Sequence, residues 1–186
     1  MIRCNDTLSL NICSVGLDAR IAADVSASKR FPLLQGGRAY IASAAVNVIK
    51  GISEHYVVEI DGKTVDGEFT FVCACNGRFY GGGFNPVPEA DPTDGLMDVL
   101  LVKKVTRLQV PGLIGIYKNG RYRELGDLVD HYRVRSLKMT CDREVPVNVD
   151  GEAIFAKEIT FSMEDAKLRF FYPRGLSFQA KEQAKV

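Results

Sequence analysis

Residues 69–102 read FTFVCACNGRFYGGGFNPVPEADPTDGLMDVLLV, and this stretch decides how the remainder of the chain is interpreted. Its two ends, residues 69–75 and 96–102, are almost wholly apolar, which is typical of strands buried on both faces of a sheet. Residues 76–93 between them form a long loop rich in glycine and proline. The stretch therefore predicts two core strands joined by a loop of the kind on which binding sites are often built.

The rest of the chain predicts mostly strands. Apolar–polar alternation predicts strands over residues 7–15, 56–60, 132–140 and 159–163, then a turn at 164–166 and a return strand through Leu168, Phe170 and Tyr172. Asp61-Gly62 is a strong hairpin signal. Helical spacing predicts helices over residues 18–31, 37–52 and 108–117, the last with Pro111 in its first turn. About eight short strands with two or three short helices predict a single mainly β domain over residues 1–186, with a minor α+β character and the architecture of a β-sandwich.

Composition places the chain among globular proteins. Hydrophobic residues make up 46% and charged residues 25%, which is the balance of a soluble domain. The net charge of +1 predicts no nucleic-acid partner, although a small apolar patch can support a peripheral membrane contact. No apolar run approaches the ~20 residues of a membrane-spanning helix, and the first residues are too polar for a secretory signal. Five cysteines without a C-x-x-C spacing predict free thiols and a cytoplasmic protein.

The loop contains a candidate metal turn at residues 91–98, which read DPTDGLMD. Asp94-Gly95 predicts a tight turn, and such a turn can direct one carboxylate and two backbone carbonyls at a hard cation. Mg²⁺ accepts such a site because it keeps several waters and needs few protein ligands. An ordinary Asp-Gly turn leading into a strand explains the same residues, so the spacing leaves both interpretations open.

A second candidate is Asp150-Gly151-Glu152, where a carboxylate beside a glycine turn could act as a general base. The same tripeptide occurs as Asp66-Gly67-Glu68, in what is expected to be a plain connection between strands, so the tripeptide alone does not discriminate. The glycines of residues 76–83 allow close backbone approach to a ligand, or simply a sharp turn or bulge. No G-x-x-x-x-G-K-[ST] phosphate loop occurs.

Four stretches, taken in order, resemble one known family. They are NICSVGLDA at residues 11–19, GRAY at 37–40, CNGRFYGGGFNPVPEADPTDGLMDV at 75–99 and VNVDGE at 147–152. Together they resemble the C-terminal domain of bacterial diacylglycerol kinase-like lipid kinases, which are related to NAD kinase and sphingosine kinase. The resemblance covers nearly the whole chain, and the central motif is its most specific part.

This resemblance implies a function for particular residues. The domain would be a β-sandwich on the acceptor side of a phosphotransferase that moves a phosphoryl group from ATP to a lipid hydroxyl such as that of diacylglycerol. Glu152 would accept the hydroxyl proton. Asp94 would be the side-chain ligand of a structural Mg²⁺, beside the carbonyls of Asp91 and Leu96. The tripeptide at residues 66–68 falls in a variable hairpin region of the family.

In the family that this chain resembles, ATP binds an N-terminal domain with a G-G-D-G-T motif. That motif is not in this sequence. Met1 lies only about ten residues before Asn11, which implies an excised piece or a truncated product. Because phosphoryl transfer depends mainly on positioning and charge neutralisation, we expect no kinase activity from this chain alone.

Three further expectations concern partners. The chain could instead be a non-catalytic module that binds lipid or docks on a separate nucleotide domain. It could also serve another acceptor, such as a sphingoid base or NAD. An apolar cleft facing an absent partner domain would favour a homo-oligomer.

Overall fold

The computed structural model describes residues 1–28, 46–49, 51–81, 83–166, 168–169 and 171. The described residues form one sheet of nine strands, two helices, a 3₁₀ segment at Tyr122–Leu128 and a helical turn at residues 46–49. The strands are β1 Ile2–Cys4, β2 Thr7–Ser9, β3 Ile12–Gly16, β4 Glu54–Ile60, β5 Lys63–Cys75, β6 Met97–Lys103, β7 Val129–Val134, β8 Ser136–Val149 and β9 Glu152–Met163. The helices are α1 Leu17–Ser28 and α2 Val110–Lys118.

Two long strands, β5 and β8, organise the sheet. The strand order is β2-β1-β9-β8-β3-β5-β6-β7, and every pairing is antiparallel. β3 and β4 both lie between β5 and β8, with β3 at one end and β4 at the other. Register shifts occur at residues 69–71 of β5 and 140–145 of β8, near the level where the partner changes from β4 to β3. Such bulges bend a strand, and the bends allow the sheet to curve around a core.

Alternate residues of the strands pack on opposite faces. The main core, enclosed by the curved sheet, contains Tyr56, Phe69 and Phe161 as its largest fully buried side chains. A second cluster on the outer face includes Ile12 and Leu100 and is covered by the 76–96 loop and α2. The predicted mainly β fold with few helices is confirmed, and its architecture is sandwich-like.

Several sequence predictions are confirmed in detail. Asp61 and Gly62 form the predicted hairpin turn with φ angles of 53° and 69°, and Ile60 pairs with Lys63. The helix predicted over residues 108–117 is α2, with Pro111 in its first turn. The helix predicted at residues 18–31 is present as α1 as far as Ser28, whereas residues 29–31 and most of the 37–52 prediction lie outside the described residues.

Four predictions of strand extent are wrong. The strand predicted over residues 7–15 is interrupted at residues 10–11, because the N–H groups there bond to a side chain instead of a neighbouring strand. The strand predicted over 132–140 is interrupted at Arg135, where the chain leaves β6 and pairs with β9. Residues 66–68 are not a connection but the middle of β5, paired with β4. Leu168 and Arg169 are not in a strand, and Phe170 and Tyr172 lie outside the described residues.

Candidate functional site

Glu152 lies on a tight turn between β8 and β9. Val149 ends β8, Asp150 and Gly151 adopt positive φ angles of 51° and 96°, and Glu152 is the first residue of β9. The Glu152 side chain is exposed, and it has no hydrogen bond or ion pair with the described part of the chain. Its carboxylate is therefore accessible to a ligand, as a general base must be.

Asp150 ties this turn to the start of β3. Its carboxylate accepts three consecutive backbone N–H groups, from Leu10 at 2.5 Å, Asn11 at 3.1 Å and Ile12 at 2.8 Å. Its own N–H donates to the Ile12 carbonyl at 3.0 Å. Several backbone donors on one carboxylate make a strong, charge-assisted anchor. The position of Glu152 is consequently set by a segment about 140 residues earlier in the chain.

The glycine-containing loop is fastened to the same segment. The Asn76 side chain donates to the Leu10 carbonyl at 2.6 Å, and the backbone N–H groups of Asn76 and Gly77 both donate to the Asn11 carbonyl. The Asn11 side chain in turn donates to the Phe79 carbonyl. A Cβ at Gly77 would lie 2.0 Å from the Asn11 Oδ1, so a residue without a side chain is required there. Three motifs that are distant in sequence therefore meet at one place.

A cavity of about 580 Å³ opens beside this meeting point. It lies between α1, the outer face of β3 and β8, and the glycine loop. Its walls are mostly apolar, with Asp18 and Asn148 among the polar residues. The described residues that line it are Leu10, Asn11, Ile12, Asp18, Ala22, Val25, Tyr80, Gly81, Asn148, Asp150 and Gly151. Glu152 follows the last two of these directly and is not itself a lining residue, so the turn that carries it forms part of the cavity's edge.

Asp18 is the buried carboxyl group of this cavity. It is 9% exposed, and it accepts hydrogen bonds from the Ser14 hydroxyl at 2.5 Å and the Tyr80 hydroxyl at 3.1 Å. Burial raises the pKa of Asp18, and the hydrogen bonds from Ser14, Tyr80 and Asn148 oppose this shift. The sequence placed Asp18 in a motif but assigned it no role, because its burial depends on how α1 packs over the sheet.

A chain of hydrogen bonds connects Asp18 to the turn before Glu152. The Asn148 side-chain amide donates to the Ser14 oxygen at 3.3 Å, and its carbonyl oxygen accepts the Gly151 N–H at 2.8 Å. Since Gly151 can only donate there, the Asn148 NH₂ must face Ser14, and Ser14 must donate its proton to Asp18. Asn148 and Ser14 carried no signal in the sequence that separates them from ordinary strand residues.

In the predicted metal turn at residues 91–98, the Asp94 carboxylate is already paired with an arginine of the same chain. One Asp94 carboxylate oxygen accepts the Leu96 N–H at 2.8 Å, and the other pairs with the Arg133 guanidinium. The Asp91 carboxylate accepts the Thr93 N–H and hydroxyl. None of Asp91, Asp94 and Leu96 lines the cavity. Among the described residues there is no group of three or more His, Cys, Asp or Glu side chains placed to hold a metal ion.

A polar cluster adjoins the metal turn. The buried Asp98 carboxylate lies 2.7 Å from the His131 ring and 3.5 Å from the Arg133 guanidinium, and the other His131 nitrogen is 3.1 Å from the Tyr122 hydroxyl. Tyr122 also donates to Glu89. These bonds fasten the loop and the 3₁₀ segment to β6 and β7, so His131 has a structural role here.

Comparisons with known proteins find a matching family model and several relatives. Residues 11–172 match the family model described as the YegS C-terminal NAD kinase beta sandwich-like domain. Two Staphylococcus aureus proteins, from strains MRSA252 and JH9, are each named "putative lipid kinase". Each is 24% identical over 152 residues, covering 82% of this chain and 49% of the relative. The chain thus spans about half the length of the curated relatives it matches.

Solved structures show the same fold. A crystal structure titled "putative diacylglycerol kinase" from Bacillus anthracis str. Sterne superposes with a TM-score of 0.58 at 18% identity, covering 86% of this chain and 50% of that one. A second structure, described as a diacylglycerol kinase from the same strain, gives 0.54 at 16% identity, with coverages of 87% and 49%. Within the described residues, no helix combines the length and apolarity required to span a bilayer.

Proposed function

Because the chain belongs to the family described as the YegS C-terminal NAD kinase beta sandwich-like domain, we propose that it is the acceptor side of an ATP-dependent lipid kinase. The observation that carries the proposal is an exposed carboxylate, Glu152, held on an anchored turn at the edge of a largely apolar cavity. A lipid acceptor such as diacylglycerol would place its hydroxyl beside Glu152. Its apolar part would lie against the Leu10, Ala22 and Val25 walls.

The reaction assigned to this site is one proton transfer coupled to one phosphoryl transfer. Glu152 takes the proton of the lipid hydroxyl as the hydroxyl oxygen bonds to the γ-phosphorus of ATP. The bond between that phosphorus and the bridging oxygen breaks, and ADP leaves. The base contributes typically 10²–10⁴-fold, and the larger contribution comes from positioning the nucleotide.

The nucleotide must be positioned by another domain. The chain spans about half the length of its curated relatives. We assign ATP binding to the half of the full-length protein that this chain does not include. Loss of positioning can forfeit about 7–11 kcal/mol of barrier reduction. We therefore expect the 186-residue chain alone to transfer no phosphate.

The decisive experiment measures transfer of labelled phosphate from ATP to diacylglycerol. The nucleotide-binding domain is supplied in the same polypeptide or as a separate one. Glu152→Gln is expected to lower turnover by about 10²–10⁴-fold while the melting temperature stays the same, because the amide cannot accept the proton. Glu158→Gln, a substitution of another exposed glutamate on β9, is the matched control and is expected to keep full activity.

Two results would contradict the proposal. One is full turnover by Glu152→Gln, and the other is transfer by the chain without any nucleotide-binding domain. A second candidate function, a non-catalytic lipid-binding module, is supported by the same cavity, since binding requires no nucleotide. Lipid binding without transfer, in the presence of the nucleotide domain, would favour that module.

We also propose that the turn at residues 91–96 binds Mg²⁺ through the Asp94 carboxylate and the Asp91 and Leu96 carbonyls, with waters completing the shell. The oxygen-rich turn supports this assignment. The ion pair with Arg133 opposes it, because a guanidinium beside Asp94 competes with a second cation. Mg²⁺ binding therefore requires Arg133 to move away from Asp94.

The metal proposal is tested by thermal unfolding in increasing Mg²⁺. An ion that binds only the folded chain raises the melting temperature by mass action. Asp94→Ala should remove the Mg²⁺-dependent rise, and Arg133→Gln should enlarge it at low Mg²⁺ because the competing charge is absent. A melting temperature of the unmodified chain that does not respond to Mg²⁺ would sink the assignment.

A further inference from the structure

Large apolar side chains are exposed on segments that adjoin residues of the cavity wall. Leu8 is 47% exposed, Leu10 46%, Phe79 60% and Phe155 65%. Leu8 and Leu10 lie on either side of the buried Ser9, so both face solvent, and Leu10 also lines the cavity. The Phe79 carbonyl accepts a hydrogen bond from Asn11, the residue after Leu10.

Phe155 on β9 is the fourth exposed apolar residue of this group. In the β8–β9 register Asn148 is opposite Ala153 and Pro146 is opposite Phe155. Residues two apart in a strand, and residues opposite each other, share one face of the sheet. Phe155 therefore lies on the same outer face as the cavity residue Asn148. We call Leu8, Leu10, Phe79 and Phe155 the apolar rim.

We propose that the apolar rim docks on the surface of a lipid bilayer and that the acceptor lipid passes from the bilayer into the cavity across it. This inference rests on the proposed function, because it takes the cavity to be the acceptor-lipid site. It goes further by assigning the membrane-facing surface of the chain and the type of membrane that surface fits.

Continuity of apolar surface supports a bilayer as the occupant. Leu10 belongs both to the rim and to the cavity wall, so at this residue the exposed apolar surface connects with the interior of the cavity. Contact with water is unfavourable for a lipid acyl chain. A cavity mouth pressed against the bilayer allows the lipid to enter without exposing that chain, whereas a mouth facing water does not.

The charges near the rim indicate an uncharged or zwitterionic membrane. Arg3, opposite Leu8 in the β1–β2 pair, is ion-paired with Glu164. The Asp150 carboxylate is satisfied by three backbone N–H groups. Neither of these two charges is left for a lipid headgroup, and the exposed Glu152 carboxylate disfavours anionic lipid, so we assign the binding to apolar insertion. Such binding is insensitive to salt, since only electrostatic attraction is screened.

The chain has no tryptophan, which makes an introduced one a unique fluorescent reporter. Phe79→Trp and Phe155→Trp are mixed with phosphatidylcholine vesicles that contain diacylglycerol. Emission from both is expected to shift to shorter wavelength, equally at low and high NaCl. Leu108→Trp is the matched control: Leu108 is 94% exposed, lies before α2 and is absent from the cavity, so its emission should not shift.

Loss-of-binding variants separate the rim from the cavity. Phe79→Ser and Phe155→Ser should each weaken vesicle partitioning by about tenfold, because each removes an exposed aromatic ring that the bilayer would bury. Leu108→Ser should leave it unchanged. All three should still bind a short-chain diacylglycerol below its micellar concentration, measured by calorimetry.

Each outcome decides between the claims. Short-chain binding without vesicle binding overturns the membrane-docking inference and leaves the proposed acceptor site standing. Failure to bind either lipid form overturns the acceptor site itself. The same emission shift in a mock titration that contains no vesicles also overturns the inference, because the shift would then not report contact with a bilayer. A shift on adding the nucleotide-binding domain would make the rim a domain interface, and a shift with rising protein concentration would make it a contact between copies.

Discussion

Two carboxyl groups near the same cavity have opposite surroundings. Glu152 is exposed and without a partner in the described chain, which suits a base that must meet its substrate. Asp18 is buried, and both of its oxygens accept hydrogen bonds from hydroxyl groups. Desolvation penalises the charged form of Asp18, whereas Glu152 stays in contact with water. The two carboxyl groups can therefore take different roles beside one ligand.

The raised pKa of Asp18 predicts a pH-dependent stability. The stabilising contribution of a carboxyl group with a raised folded-state pKa is fully present below its unfolded pKa, about 3.9 for Asp, and is lost as pH rises through the folded value. Asp18→Asn imitates the neutral form, since its oxygen can accept from Ser14 and its NH₂ can donate to Tyr80.

Asp18→Asn should therefore gain stability relative to the unmodified chain as the pH is raised from about 4 to 8. Urea unfolding across this range measures the difference. Asp165→Asn, at an exposed position, is the control and should show no such trend. A difference between the Asp18 variant and the unmodified chain that is constant with pH would contradict the prediction.

At the scale of elements, the junction between β3 and α1 positions Asp18. Gly16 ends β3 with a φ of +98°, and a Cβ there would lie 2.6 Å from the Thr70 carbonyl oxygen and 2.8 Å from the Phe71 Cα. The close approach to β5 and the positive φ both require glycine. The chain can then turn out of the sheet into α1, which places Asp18, Ala22 and Val25 on the helix face that lines the cavity.

Gly16→Ala should lower the free energy of unfolding by about 3 kcal/mol, because it combines backbone strain with a clash against backbone atoms that cannot move aside. Gly62→Ala is the matched control: Gly62 also has a positive φ, of 69°, but a Cβ added there would have no atom within 4 Å. It should cost about 1 kcal/mol. Equal losses in urea unfolding for the two variants would show that the close approach is unimportant.

At the scale of the whole molecule, one arrangement of strands explains why three distant segments meet. β3 lies between β5 and β8, with Ile12 paired to Cys75 and Cys13 paired to Val149. Because both pairings are antiparallel, the start of β3 and the ends of β5 and β8 lie at the same edge of the sheet. The segment before β3, the glycine loop after β5 and the Glu152 turn after β8 are therefore neighbours.

The sequence by itself determined the periodic and local features. Alternation predicted the strands, Asp61-Gly62 predicted a hairpin, and the central motif at residues 75–99 carried the family resemblance that the comparisons confirmed. These features depend on side-chain period and on turn chemistry, which act over a few residues. For the same reason, the alternation could not show the break at residues 10–11, where the bonding partner is a distant carboxylate.

Only the tertiary structure showed that the two Asp-Gly-Glu tripeptides differ in conformation and that Asp94 pairs with Arg133. Residues 66–68 continue a strand because β4 supplies their hydrogen bonds, whereas Asp150 forms a turn whose carboxylate is bonded to residues 10–12. The same three residue types thus adopt different structures because their partners differ. Those partners come from distant parts of the chain, and no local pattern encodes which strand will lie alongside.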